Sequence, residues 1–208
     1  MRRLLPPVIA IATLLVAGVG FADEPVATAR SAYQSGRYDA AIAELEAAAV
    51  DDAASRILLA RALQAVGRLD DAIAMLEVSF EARPDDATVA TELGRLMIRH
   101  GDYEAAVALL EPYVEGTAAP YLPARYWRAV AYENIGRPSR ASLEYEDFAR
   151  AYNRGVISAA DEMMYVALAM QRLGAYSDAN NAFREALEME PESADIRVAW
   201  GRLFVEKY

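Results

Sequence analysis

Five segments of the chain share one pattern: glycine, any residue, an aromatic or apolar residue, two more residues, then alanine. They are Gly36-Arg37-Tyr38-Asp39-Ala40-Ala41, Gly67-Arg68-Leu69-Asp70-Asp71-Ala72, Gly101-Asp102-Tyr103-Glu104-Ala105-Ala106, Gly136-Arg137-Pro138-Ser139-Arg140-Ala141 and Gly174-Ala175-Tyr176-Ser177-Asp178-Ala179. Successive glycines are 31, 34, 35 and 38 residues apart. A period of that length fits one supersecondary unit that cannot bury its apolar face alone and must stack on its neighbours. Each unit reads as helix, tight turn, helix. The glycine ends the first helix because it takes a left-handed backbone without steric cost. The Asp or Ser two to four residues later is placed to cap the second helix. The alanine lets two helices cross at close range. Leu45, Leu76, Leu110, Tyr145 and Phe183 each follow that alanine by one helical turn. Pro84 and Pro191 stop the second and fifth units.

With these residues in place the chain resembles the tetratricopeptide repeat family: a small residue in the first helix, Gly and an aromatic at the turn, Ala and a large apolar residue in the second helix, then Pro. Leu59-Ala60, Leu93-Gly94 and Val166-Ala167 fill the large-small pair of the first helix. The resemblance spans residues 23–208. It implies an all-α, right-handed superhelix of about five helix pairs, with units near 23–52, 53–86, 87–120, 121–157 and 158–192. Unit one lacks a closing Pro. Unit four departs most, with Pro138 at the aromatic position and an insertion around Asn153-Arg154-Gly155. A closing helix over 193–207, with Trp200-Gly201 at the large-small pair, would cover the last apolar face. Arg197, Arg202, Glu206 and Lys207 would solvate its outside.

The first 22 residues read as an address. Met1-Arg2-Arg3 is basic, Leu4 to Phe21 is apolar, and Gly20-Phe21-Ala22 precedes Asp23-Glu24. That is the order of a secretory signal, with cleavage expected after Ala22. Pro6 and Pro7 leave too short a helix for a bilayer, which takes about 20 residues. Cleavage removes Arg2 and Arg3 and no acid, taking the net charge from −10 to −12. The expected destination is the periplasm. An inner-membrane anchor formed by an uncleaved signal is the alternative. No stable membrane insertion is expected after cleavage.

Composition narrows the chemistry. A charge of −10 disfavours nucleic acid, whose phosphates need clustered Lys and Arg. Without Cys there are no disulfides, thiolate metal sites or cysteine nucleophiles. The single His, His100, stands just before Gly101, where a cation suits a helix C-terminus. The carboxylate pairs (Glu44/Glu46, Asp51/Asp52, Asp85/Asp86, Glu144/Glu146/Asp147) fall at helix starts, turns and solvated faces. No Gly-rich phosphate loop occurs. The reading is therefore no enzyme, no metal and no cofactor.

What remains is a surface. Six residues before each turn glycine lies the position that would face the concave side of a repeat superhelix. It holds Arg30, Arg61, Arg95, Val130 and Leu168, with Arg202 at the same register in the tail and Arg99 one turn beyond Arg95. An arginine ladder suits bidentate capture of carboxylates on an acidic peptide or a chain terminus. Tyr126, Val130, Met164 and Leu168 would form an apolar pocket beside it. The competing reading has the arginines pairing with acids on neighbouring helices. The Lys and Asn set of carboxylate-clamping relatives is not found. Tyr33, Tyr38, Tyr103, Tyr113 and Tyr132 read as core residues with hydroxyls at the edge. The expected function is a protein- or peptide-binding scaffold or adaptor in the cell envelope. The alternative is a permanent accessory subunit of a membrane-bound assembly or secretion complex.

Overall fold

A computed structural model describes residues 23–115 and 121–207, and the side chains of Asp23, Glu206 and Lys207 are not among those described. The leader read into residues 1–22 lies outside them. The described residues form eleven α-helices and no strand. The pairs are α1 (Asp23–Gln34) with α2 (Tyr38–Ala47), α3 (Ala53–Ala65) with α4 (Leu69–Ala82), and α5 (Ala87–His100) with α6 (Tyr103–Leu110). They continue with α7 (Leu122–Asn134) and α8 (Pro138–Asn153), then α9 (Ala160–Arg172) and α10 (Tyr176–Met189), and end with α11 (Ala194–Lys207). Pro112 shapes the end of the third pair, where α6 tightens into a 3-10 turn over Glu111–Tyr113.

The turns are built as the glycine pattern requires. The residue after each turn glycine donates its N–H to a carbonyl five residues back, as Arg37 to Ala32 at 2.9 Å and Arg137 to Tyr132 at 2.8 Å. That bond needs a left-handed residue between, and Gly101 supplies it at φ 109°. Unit one closes differently. Ala49 takes φ 49°, the one non-glycine among the described residues with positive φ, where a glycine would be unstrained.

Capping runs opposite to the sequence expectation. The second helices begin only two residues past the glycine, and no side chain caps α2, α4, α6, α8 or α10. Asp39, Asp70, Asp71 and Asp178 lie in the first helical turn instead, favourable to the helix dipole. The capped helices are first helices. Asp52 accepts from Ser55 N–H at 2.9 Å, and Asp86 from Thr88 and Val89 N–H at 3.0 and 3.1 Å. Pro138 is accommodated because it occupies the first position of α8, where the missing N–H has no partner to lose.

The alanines do what their spacing suggests. Ala41, Ala72, Ala106, Ala141 and Ala179 are buried, as are Leu45, Leu76, Leu110, Tyr145 and Phe183. Three core clusters result: one over α1–α5, a larger one from the end of α5 to α11, with Met97 packing against both, and a small one of Leu110, Val114 and Ala124. Of the tyrosines at turns, Tyr132 is buried, Tyr33 and Tyr38 meet edge to face at 5.4 Å, and the Tyr113 hydroxyl donates to the Pro84 carbonyl.

Candidate interaction face

Arg61 on α3 and Arg95 on α5 converge on one carboxylate. Glu92, one turn before Arg95, accepts from Arg61 Nε at 3.1 Å. Arg95 donates to both its oxygens, from Nη2 at 2.7 Å and from Nε at 3.1 Å. Arg95 Nη2 also reaches Gln64 Oε1 on α3 at 2.6 Å. Glu92 is only 5% exposed. Burial pushes its carboxyl pKa up, but Arg61 and Arg95 outweigh that and hold it below the ordinary value. The acid is thus a charged pivot that ties α3 to α5.

The remaining arm of Arg61 crosses the molecule. Its Nη1 donates to Asp195 Oδ2 at 2.9 Å, a residue 134 positions away in the first turn of α11. Tyr165 of α9 stands beside this cluster, taking a hydrogen bond from Trp127 Nε1 at 3.3 Å. Burial pushes the Tyr165 phenol up to about 12. Tyr33 of α1 lies within the field of Arg61 and Asp195, and burial raises its phenol too. Side chains from both ends of the chain therefore gather around Glu92. Arg61 Nη2 and Arg95 Nη1 carry no hydrogen bond among the described residues.

The other positions counted from the glycines separate. Arg30 is exposed on α1 and lines a shallow recess with Val26, Ala49 and Ser55, apart from the Glu92 cluster. Arg99 is exposed in the last turn of α5, at the negative end of that helix. Tyr126, Val130, Met164 and Leu168 do come together, but as core rather than as an open pocket. Tyr126 and Val130 are 4% and 6% exposed, while Met164 and Leu168 are partly buried against the same cluster. The apolar-pocket expectation is corrected accordingly. The helices of the second half pack closely enough to consume the side chains that would have anchored a ligand. Arg202 is exposed on α11.

Sequence reasoning missed Glu92, Tyr165 and Asp195. Glu92 stands three residues before Arg95, a spacing too common on solvated helices to mark it. Nothing local marks Asp195. His100, exposed, pairs with Asp102 at 2.7 Å and faces Asp70 at 3.4 Å. Among the described residues there is no cluster of three or more His, Cys, Asp or Glu able to hold a metal ion, and no helix is long and apolar enough to cross a membrane.

A stack of antiparallel helix pairs with glycine turns and a single terminal helix is the architecture of a helical-repeat interaction scaffold. The chain is a tetratricopeptide repeat protein: the family model described as tetratricopeptide repeat matches residues 32–96 and again 67–131. It is similar to a thermophilic tetratricopeptide protein of Thermus thermophilus, with 20% identity and a TM-score of 0.59 over 88% of this chain and 99% of that one. It is also similar to MamA of AMB-1, with 25% identity and a TM-score of 0.51 over 82% and 99%. A tetratricopeptide repeat protein of Parabacteroides merdae gives 14% identity and a TM-score of 0.51 over 89% and 73%. No curated protein matches the chain.

Proposed function

We propose that the chain is an exported, periplasmic scaffold that engages an acidic, carboxylate-bearing segment of a partner protein through Arg61 and Arg95. The family is one of protein-interaction scaffolds. The observation that carries the finer reading is the Arg61–Asp195 pair. Glu92 fixes the guanidinium from one side, and its free arm already holds a largely exposed carboxylate presented by another helix. A carboxylate on a bound peptide would meet the same donor, and the unused Nη groups beside it allow bidentate contacts. Export is supported by the basic, apolar and small-residue order of residues 1–22.

The test uses the mature full chain and a fluorescent hexaglutamate peptide. Asp195→Asn frees the Arg61 arm and should tighten binding. Arg61→Gln should weaken it by about five-fold or more, the scale of a charge-assisted bond. If both variants bind the peptide as the parent does, the inner face is not the working surface. Export is checked by sequencing the N-terminus of the chain recovered from a Gram-negative host. A start at Asp23 in the periplasmic fraction supports it, and an intact Met1 in the cytosol refutes it.

A further inference from the structure

The outer face of α11 differs from the same face of the other first helices. Aligning Trp200-Gly201-Arg202 on Leu93-Gly94-Arg95 superposes α11 on α5 step for step. On α5 that face is covered. Ala90, Thr91, Gly94 and Ile98 are all buried, and a Cβ on Gly94 would stand 3.0 Å from the Leu110 side chain of α6. At the position of Gly94 the other first helices carry Ala29, Ala60, Ala129 and Ala167, each wholly buried. The matching residues of α11 are Arg197, Val198, Gly201 and Val205. Val198 and Val205 are 57% and 82% exposed, and apart from its chain neighbours and the backbone of α11 itself no atom of the described residues lies within 4 Å of where a Cβ on Gly201 would stand. Among the described residues, α11 turns to solvent the face that five other helices give to a second helix.

The molecule shows what fits such a face. Each second helix brings a large apolar residue four positions after its alanine: Leu45, Leu76, Leu110, Tyr145 and Phe183, all buried. Where the first helix has an arginine four residues before its small residue, that arginine bonds to the second helix. Arg56 on α3 donates to Ser79 Oγ on α4 at 3.0 Å, and Arg125 on α7 to Asp147 Oδ2 on α8 at 2.6 Å. Arg197 holds that register position on α11. Its side chain is half exposed, with only a long 3.6 Å approach to the exposed Glu192 and a bond to the Pro191 carbonyl.

We propose that the Val198–Gly201–Val205 face of α11 docks one amphipathic helix of a partner protein. That helix carries a small residue, then a large apolar residue four positions later that fills the notch over Gly201, then a carboxylate two positions further that meets Arg197. The model for it is α8, with Ala141, Tyr145 and Asp147 in that spacing. Apolar burial around a small residue supplies the attraction, and the ion pair fixes the register. This surface shares no residue with the Arg61–Glu92 cluster, so the two proposals stand or fall separately.

A labelled peptide with the sequence Pro138–Asn153, titrated into the mature full chain, is the probe. Gly201→Trp fills the notch from an exposed helix position with nothing behind it, so the fold should tolerate it, which a thermal melt checks. Saturable binding is expected for the parent, at least about ten-fold weaker binding for Gly201→Trp, and weaker binding for Arg197→Glu. The proposal is overturned if the parent shows no saturable binding, or if Gly201→Trp binds the peptide equally well. It is also overturned if sedimentation shows a parent dimer that Gly201→Trp dissociates, since a second copy would then be the occupant.

Discussion

Glu92 shows how much one buried charge can organise. Removing it leaves Arg61 and Arg95 facing each other without an acid between them, so Glu92→Ala is expected to cost about 3 kcal/mol in chemical denaturation. The effect should depend on pH in a set direction. The folded-state pKa is depressed, so the stabilisation is complete above the unfolded glutamate value near 4.3 and fades as pH falls through the folded one. The gap in melting temperature between parent and variant should therefore narrow from about pH 5 downward. A gap that stays constant to pH 3 contradicts the assignment of the charge to Glu92. At Ala49 the sign is opposite: Ala49→Gly should stabilise by about 1 kcal/mol, because the left-handed backbone is already in place. The arginines were legible in the sequence because their register is counted from the glycines. Their acid was not, since Glu and Arg three apart are commonplace on solvated helices, and the spacing does not say that this Glu is buried.

Helices explain a different set of outcomes. Asp86→Ala should remove the one oxygen that accepts from two N–H groups at the start of α5 and cost about 1 kcal/mol in thermal stability. The corresponding change at Asp39, which caps nothing, should move stability by only a few tenths through the helix dipole. Two glycines at one register give a sharper comparison. Gly94→Val should destabilise by about 1–3 kcal/mol by forcing Leu110 aside, whereas Gly201→Ala should gain up to about 1 kcal/mol from helix propensity. Equal shifts at the two sites would mean that α11 is covered after all. The sequence located the helices and their turns well, because glycine, alanine and the large apolar residue act within one turn of each other. It misplaced the caps, because the cap position falls directly after the glycine, two residues before Asp39, Asp70, Ser139 and Ser177. It also assigned Tyr126 and Val130 to a pocket, since periodicity identifies a face but not how closely the next helix approaches it.

For the molecule as a whole, the two larger apolar clusters meet at α5, where Met97 touches both. Repeat arrays hold together through neighbouring interfaces, so that seam should be the weakest link in cooperativity. Met97→Ala is expected to broaden the thermal transition and to separate amide exchange of α1–α4 from that of α7–α10. A single sharp transition in the variant would argue that the two halves are coupled elsewhere. That other coupling has an obvious candidate in Arg61–Asp195, which no repeat pattern could have revealed because it joins residues 134 apart. A stack of like units can ordinarily gain or lose one without consequence for the rest. Here an acid on the last helix must arrive opposite an arginine on the third, so an extra unit between them, or one fewer, would swing the acid out of reach. The pair works as a gauge of length: it forms only when the number of intervening units is right.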